Sequence, residues 1–293
     1  MPSTRDIRRR IRSVKNTKQI TKAMQMVASS KMRKAQLAAL AGRPYAILMN
    51  QVLLNVIKDS PDATHSLMEK REVRARCVLG VSTDKGLCGA LNSNVGREVM
   101  KFDRETTVYV TAGRKASQFI SRTKRKLLAE FTYKDAPLFS EARAISKTLQ
   151  ELFLKGEVDC VDVIYTRFIN TLAQKVEMRR LLPMGELQNL LIGGTGAQAQ
   201  PGAAENAHLE YLFEPGAGQV LDAILPHFLN FIVYQVLLEA KASEHSARMV
   251  AMKNATDNAE GLIKDLTLEY NKLRQANITK ELLEITTAQM ALG

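Results

Sequence analysis

The segment Leu237-Leu238-Glu239-Ala240-Lys241-Ala242-Ser243-Glu244-His245-Ser246-Ala247-Arg248-Met249-Val250-Ala251-Met252 decides the fold, because it belongs to a helical pattern that runs to the end of the chain. After Pro226 there is no further proline, and Gly261 is the one glycine before the terminal Gly293. At about 1.5 Å of rise per residue, the stretch from Val220 onward predicts one helix about 100 Å long. Leu238, Ala242, His245, Met249, Met252, Thr256, Ala259, Ile263, Leu266, Tyr270 and Leu273 recur in alternating steps of four and three, the seam of a supercoiled helix. The phase then slips, and Ile278, Leu282, Ile285 and Leu292 form a displaced stripe. A helical pattern of this length is a coiled coil, a membrane span or a repeat. Lys241, Glu244, Arg248, Lys253, Asp257 and Glu260 exclude the span, and no repeat unit is visible. Ala, Thr and His stand where Leu or Ile would make a strong zipper, so the helix needs more than one neighbour.

The other end of the chain supplies a matching helix. Pro2-Ser3-Thr4 starts it, with Ser3 or Thr4 as N-cap and Asp6 in the first turn. Ile7, Ile11, Val14, Ile20, Met24, Val27, Ala28 and Met32 give an apolar stripe, backed by Arg8, Arg9, Arg12, Lys15, Lys18 and Lys22. Gly42-Arg43-Pro44 predicts a kink. Ile47, Leu48, Val52, Leu53, Val56 and Ile57 extend the helix to a stop near Ser60-Pro61, followed by an exposed connector over 60–72. Residues 1–43 hold twelve Lys and Arg against the single acid Asp6, so all but one unit of the net charge of +12 lies there. Such asymmetry points to a polyanionic or acidic partner. An acid-poor, Arg- and Ser-containing start also fits a transit peptide.

Between the helices, strands alternate with helices. Residues 77–82 form a short apolar run that ends in the glycine loop Thr83-Asp84-Lys85-Gly86-Leu87-Cys88-Gly89-Ala90-Leu91-Asn92. A helix over about 92–102, a strand over 107–111, a helix from Arg114, a helix over 140–154 and paired strands over 158–168 and 175–182 follow. This order predicts a parallel or mixed sheet covered by helices, a Rossmann-like domain. The 193–204 stretch reads as a low-complexity loop, 208–213 as a short edge strand, and Glu214-Pro215-Gly216 as a turn. The fold class is α/β plus a long antiparallel two-helix coiled coil, divided into 1–59, 73–213 and 214–293, the first and last pairing as a shaft. The most apolar stretch, 228–238, is too short to cross a bilayer.

A chain of 293 residues with 45% hydrophobic content can bury one large core, or a modest domain beside an extended element. No Trp and 5% aromatics suit the second. The loop Asp84, Lys85, Gly86, Cys88 and Gly89 invites a phosphate-cradle reading, but its spacing matches neither common nucleotide motif, which favours a structural turn or partner contact. His65, His208, His227 and His245 fall in no ligand spacing. Met24, Met26, Met32, Met249 and Met252 read as packing. Cys77, Cys88 and Cys160 make neither a metal set nor a disulfide framework. No catalytic arrangement assembles, so the chain reads as non-catalytic, with no cofactor and no metal. The basic helix admits three readings: a solvated face, a nucleic-acid arm or a site for an acidic protein. Residues 1–43 lack the aromatic platforms usual in nucleic-acid binding, yet a basic coiled-coil nucleic-acid-binding protein and a nucleotide-binding enzyme stay as rivals. Salt-steep DNA affinity or ATP binding by the isolated chain would mark them.

Several stretches carry a resemblance. Gln19-Ile20-Thr21-Lys22-Ala23-Met24-Gln25-Met26-Val27-Ala28-Ser29-Ser30-Lys31, the Ser82-to-Gly89 loop, Val220-Leu221-Asp222-Ala223-Ile224-Leu225-Pro226, Ala242-Ser243-Glu244-His245-Ser246-Ala247-Arg248-Met249 and Ala251-Met252-Lys253-Asn254-Ala255-Thr256-Asp257-Asn258-Ala259 resemble the gamma subunit family of the rotary F-type ATP synthase, bacterial type. The N-terminal match implies a mature start without a targeting segment. The resemblance implies a central rotor shaft that couples proton flow to the conformational cycle of the catalytic subunits in CF(1), in ATP synthesis and hydrogen ion transport. It implies as partners the alpha and beta subunits, the epsilon subunit and the ring of c subunits in the membrane, with no nucleic acid and no direct membrane insertion. The implied location is peripheral, on the cytoplasmic face of the bacterial cell membrane. Arg8, Arg9, Arg12, Met24, Met26, Arg248, Glu281 and Glu284 are the implied contacts with the catalytic ring. The cysteine-bearing insert of the chloroplast version is missing, so no thiol switch is expected.

Overall fold

The computed structural model describes residues 3–59, 65–184, 214 and 216–292. The expected stop at Ser60-Pro61, the 193–204 loop, the 208–213 strand with His208, and Pro215 lie outside those residues. The elements are α1 (Thr4–Ala41), α2 (Arg43–Asp59), β1 (Arg76–Val81), α3 (Leu91–Met100), β2 (Thr107–Ala112), α4 (Arg114–Arg122), β3 (Lys126–Phe131), α5 (Phe139–Leu154), β4 (Cys160–Phe168), β5 (Gln174–Leu182) and α6 (Ala217–Leu292). They divide into two units, Met1–Ala28 with Arg248–Gly293, and Ser29–Ala247.

In the first unit α1 and α6 run antiparallel. Going from Arg8 to Lys18 on α1, the partner changes from Tyr270 to Glu260 on α6, with contacts of 2.8 and 2.9 Å. Thr21 and Thr256 then meet hydroxyl to hydroxyl at 2.7 Å. Ser3 caps α1: its hydroxyl accepts the Asp6 N–H, and the Asp6 carboxylate accepts the Ser3 hydroxyl and N–H in return. The α6 seam follows the expected register, with Met252, Thr256 and Ala259 buried and Ile263, Leu266, Tyr270 and Leu273 half-buried. On α1 the stripe needs correction. Ile20 and Val27 are 60% and 54% exposed, because the four-three rhythm after Val14 passes through Lys18 and Thr21, and a residue one step off the seam is turned about 100° away. Lys18 therefore leaves the basic back and pairs with Glu260. Since Arg8 is level with Tyr270, α1 begins near the level of Leu273, and α6 from Arg274 to Met290 is exposed, including Ile278, Leu282 and Ile285 of the displaced stripe.

In the second unit a five-stranded sheet has the order β3-β2-β1-β4-β5. All pairs are parallel except the β4–β5 hairpin. From Cys77 to Val81, β1 is a continuous apolar run, buried on both faces. Val78 packs with Val95, Val99 and Ile120 under α3 and α4, whereas Leu79 and Val81 face Phe153, Phe228, Leu229 and Leu237 of α5 and α6. The 228–238 stretch is thus the core helix of this unit. Gly42 separates α1 from α2, and Pro44 falls in the first turn of α2, where its missing N–H is harmless. Two expectations change. The edge strand β3 was not anticipated, and the 60–72 connector is not wholly exposed: Leu67 is buried in the core, where its carbonyl accepts the Met184 N–H.

Candidate functional site

The loop after β1 was the candidate phosphate cradle, and its own side chains fill it. The Asp84 carboxylate accepts the Arg114 N–H at 3.0 Å, and the Ser82 hydroxyl accepts the Ala116 N–H at 2.7 Å. These are N–H groups of the first turn of α4, the ones an anion would use. Asn92 ties the loop back on itself, donating to Thr83 Oγ1 at 2.8 Å and Cys88 Sγ at 3.2 Å. The Thr83 hydroxyl donates to the Lys85 carbonyl at 2.7 Å. Gly89 takes φ +60°, and exposed Leu87 φ +63°. The hollow beside the loop, lined by Ser82, Asn92, Lys115 and Phe119 among others, has about 10 Å³ of room, the space of one water. The arrangement locks a turn and caps α4 with N–H groups that an anion would otherwise use.

Buried charge lies elsewhere in the second unit. Asp162 on β4, 1% exposed, bonds Arg76 of β1 and Arg180 of β5, the latter at 3.0 Å. The Asp162 hydrogen bond holds the Arg180 guanidinium above its usual range. Glu239 of α6 lies 3.9 Å from Arg167. Burial pushes its carboxyl up to about 7, while Arg167 and Arg179 pull it down. The folded state therefore favours protonated Glu239; that contribution is complete below the unfolded value near 4.5 and is lost as pH rises through 7. Glu239→Gln is expected to gain on the wild type by on the order of 2 kcal/mol between pH 4.5 and 7 and to run parallel to it above. Urea unfolding at stepped pH checks this; parallel curves throughout would refute it. Buried Cys77 has its thiol pushed up to about 12 by burial, and Cys160 is raised for the same reason, so neither offers a reactive thiolate. Among the described residues no three His, Cys, Asp or Glu form a metal cluster.

The anticipated contact residues of the first unit are mostly at its surface. Arg8, Arg9 and Arg12 are exposed on α1; Arg8 bonds Tyr270 and lies over its ring at 5.5 Å, and Arg9 pairs with Asp6 at 3.2 Å. Met26 is 61% exposed, Met24 and Arg248 are half-buried, and Glu281 and Glu284 are exposed on the end of α6. Glu284 lies 3.7 Å from Lys280 one turn back. Asp84, Lys85, Gly86, Cys88 and Gly89 belong to the other unit. Sequence reasoning missed Asp162, Arg76 and Arg180, which only strand register brings together.

The family described as ATP synthase matches residues 3–292. The ATP synthase gamma chain of Opitutus terrae is 51% identical, with 99% of each chain covered, and that of Methylacidiphilum infernorum 47% identical over the whole of both. A chain of the Tetrahymena thermophila mitochondrial ATP synthase central stalk and c-ring is similar with TM-score 0.61 and 27% identity, over 80% of this chain and 99% of that one. A chain of the Euglena gracilis mitochondrial ATP synthase, OSCP/F1/c-ring in rotational state 3, has TM-score 0.70 and 20% identity, over 99% of this chain and 94% of that one.

Proposed function

The chain belongs to the ATP synthase gamma-chain family, central-stalk rotor components, and on that premise we propose that it couples proton flow through the membrane sector to the conformational cycle of alpha and beta subunits. The observation that carries this reading is the antiparallel α1–α6 pair of the first unit, with apolar Ile278, Leu282 and Ile285 left exposed beyond its end. An asymmetric rod offers each of several equivalent catalytic subunits a different face. A ligand shifts a conformational equilibrium only by its differential affinity for the states. Turning the rod exchanges the faces, and linkage makes the coupling reciprocal: nucleotide binding turns the rod, and turning it releases product.

The residues assigned to the ring surface are Arg8, Arg9, Arg12, Met24, Met26, Arg248, Glu281 and Glu284. Exposed cations attract acidic partners without a fixed register, and methionine adapts to several surfaces in turn. Segments 1–59 and 214–293 carry the shaft, of which 29–59 and 217–247 fall in the sheet-bearing unit, and 73–213 supplies the module that holds the epsilon subunit and the c ring, at the cytoplasmic face of the bacterial membrane, without inserting into it. The isolated chain has no catalytic role. Co-purification of alpha and beta subunits with the chain tests the assembly; their absence from the purified material would sink it. Changing Arg8, Arg9 and Arg12 together to Glu is expected to weaken assembly or ATP-driven proton pumping, with the sheet still folded by circular dichroism. Unchanged hydrolysis and pumping in the reconstituted complex would remove these residues from the coupling surface.

A further inference from the structure

From Gln235 to Ser246, more than three turns, every residue of α6 is buried, although seven of them are polar or charged. Burying polar groups costs free energy unless they are well bonded, and an all-apolar helix would pack here at least as tightly. The polar groups supply direction instead. The Ser243 hydroxyl donates to the Thr166 carbonyl at 2.8 Å, and the Ser246 hydroxyl donates to the Thr171 carbonyl at 2.8 Å while accepting from Gln174 at 3.2 Å. These partners all lie on the β4–β5 hairpin. On another flank, Lys241 Nζ is 2.9 Å from Glu244 Oε2, 3.9 Å from Asp135 Oδ1 and 4.5 Å from the Tyr133 ring centre. Asp135 in turn pairs with Lys31 of α1.

Apolar contacts persist when a helix rolls or slides by a fraction of a turn, because side chains repack. Hydroxyl-to-carbonyl bonds do not, since their strength falls steeply off line. Buried polar groups are best attested as devices that fix register, at a cost in stability. We propose that the collar from Glu239 to Ser246 locks α6 against rotation and axial slip within the sheet domain, making it the place where torque passes between helix and domain. The proposal rests on the rotor reading above. Lys241, Ser243, Glu244 and Ser246 act in it as positioning residues.

The test uses the complete synthase reconstituted in vesicles, with two variants, Lys241→Met with Glu244→Leu, and Ser243→Ala with Ser246→Ala. For the first pair the thermal midpoint is expected to hold or rise, because apolar isosteres often replace a buried ion pair without loss. For both, ATP hydrolysis should persist while protons pumped per ATP hydrolysed fall at least about twofold. A merely structural role would lower the midpoint and leave that ratio alone. An unchanged ratio in both pairs overturns the proposal, and so does failure of both to assemble, which would make the collar a folding determinant. If the wild-type complex itself shows no ATP-driven pumping, the rotor reading fails instead.

Discussion

Replacing Asp162 by alanine is expected to destabilise the Ser29–Ala247 unit by about 3 kcal/mol, because two guanidiniums would then share one site with no anion between them. The Asp162 side chain is 2% exposed and bridges three adjacent strands through Arg76 and Arg180. The arginines are 25% and 45% exposed, so part of their charge relaxes into water. That keeps the loss below the upper end of about 5 kcal/mol seen when a fully buried pair is broken. Arg76 also lies over the Phe102 ring at 5.3 Å, a contact the variant keeps. Replacing all three charged residues by apolar ones of similar volume should cost far less than Asp162→Ala alone, since no charge is then stranded. Urea unfolding of the two variants decides it. If the single change proves as mild as the triple, the bridge does not hold these strands.

What could be read from the sequence depended on whether the information was local. The α6 seam was legible to the residue, from Met252 through Leu273, because a 3.5-residue rhythm is a property of one strand of sequence. The α1 stripe was legible at Ile7, Ile11 and Val14 and then misread at Ile20 and Val27. There the seam runs through Lys18 and Thr21, whose inward placement is decided by Glu260 and Thr256 across the pair. β3 escaped notice because it lies at the sheet's edge, where Lys126 and Glu130 alternate outward and leave a weak apolar signal. The glycine loop was located correctly, while its chemistry was set by bonds to residues 30 and 34 positions away, Asp84 to Arg114 and Ser82 to Ala116. The Asp162 bridge and the polar collar on α6 likewise depend on strand register and helix docking, which no single window contains.

The same loop separates two glycines that look alike in sequence. Gly89 and Gly113 each stand just before a helix, and both have positive φ, +60° and +103°. A methyl group on Gly89 meets nothing within 4 Å, whereas on Gly113 it would lie 2.2 Å from the Ser82 carbonyl oxygen. That oxygen cannot retreat. The Ser82 N–H is held by the Ala112 carbonyl at 2.8 Å, and the Ser82 carbonyl accepts the Tyr133 hydroxyl at 3.1 Å. Gly113 is also pinned, donating its own N–H to the Phe131 carbonyl at 2.8 Å. Gly113→Ala therefore combines backbone strain of about 1–3 kcal/mol with an overpacking cost of about 1–3 kcal/mol, and is expected to lose about 3–5 kcal/mol in urea unfolding. Gly89→Ala, in the left-handed helical region with open space around it, should lose only about 1–2 kcal/mol. Equal losses would mean that Ser82 yields, and with it the cap that its hydroxyl gives to α4. In that case the loop's rigidity must come from Asn92 and Asp84 alone.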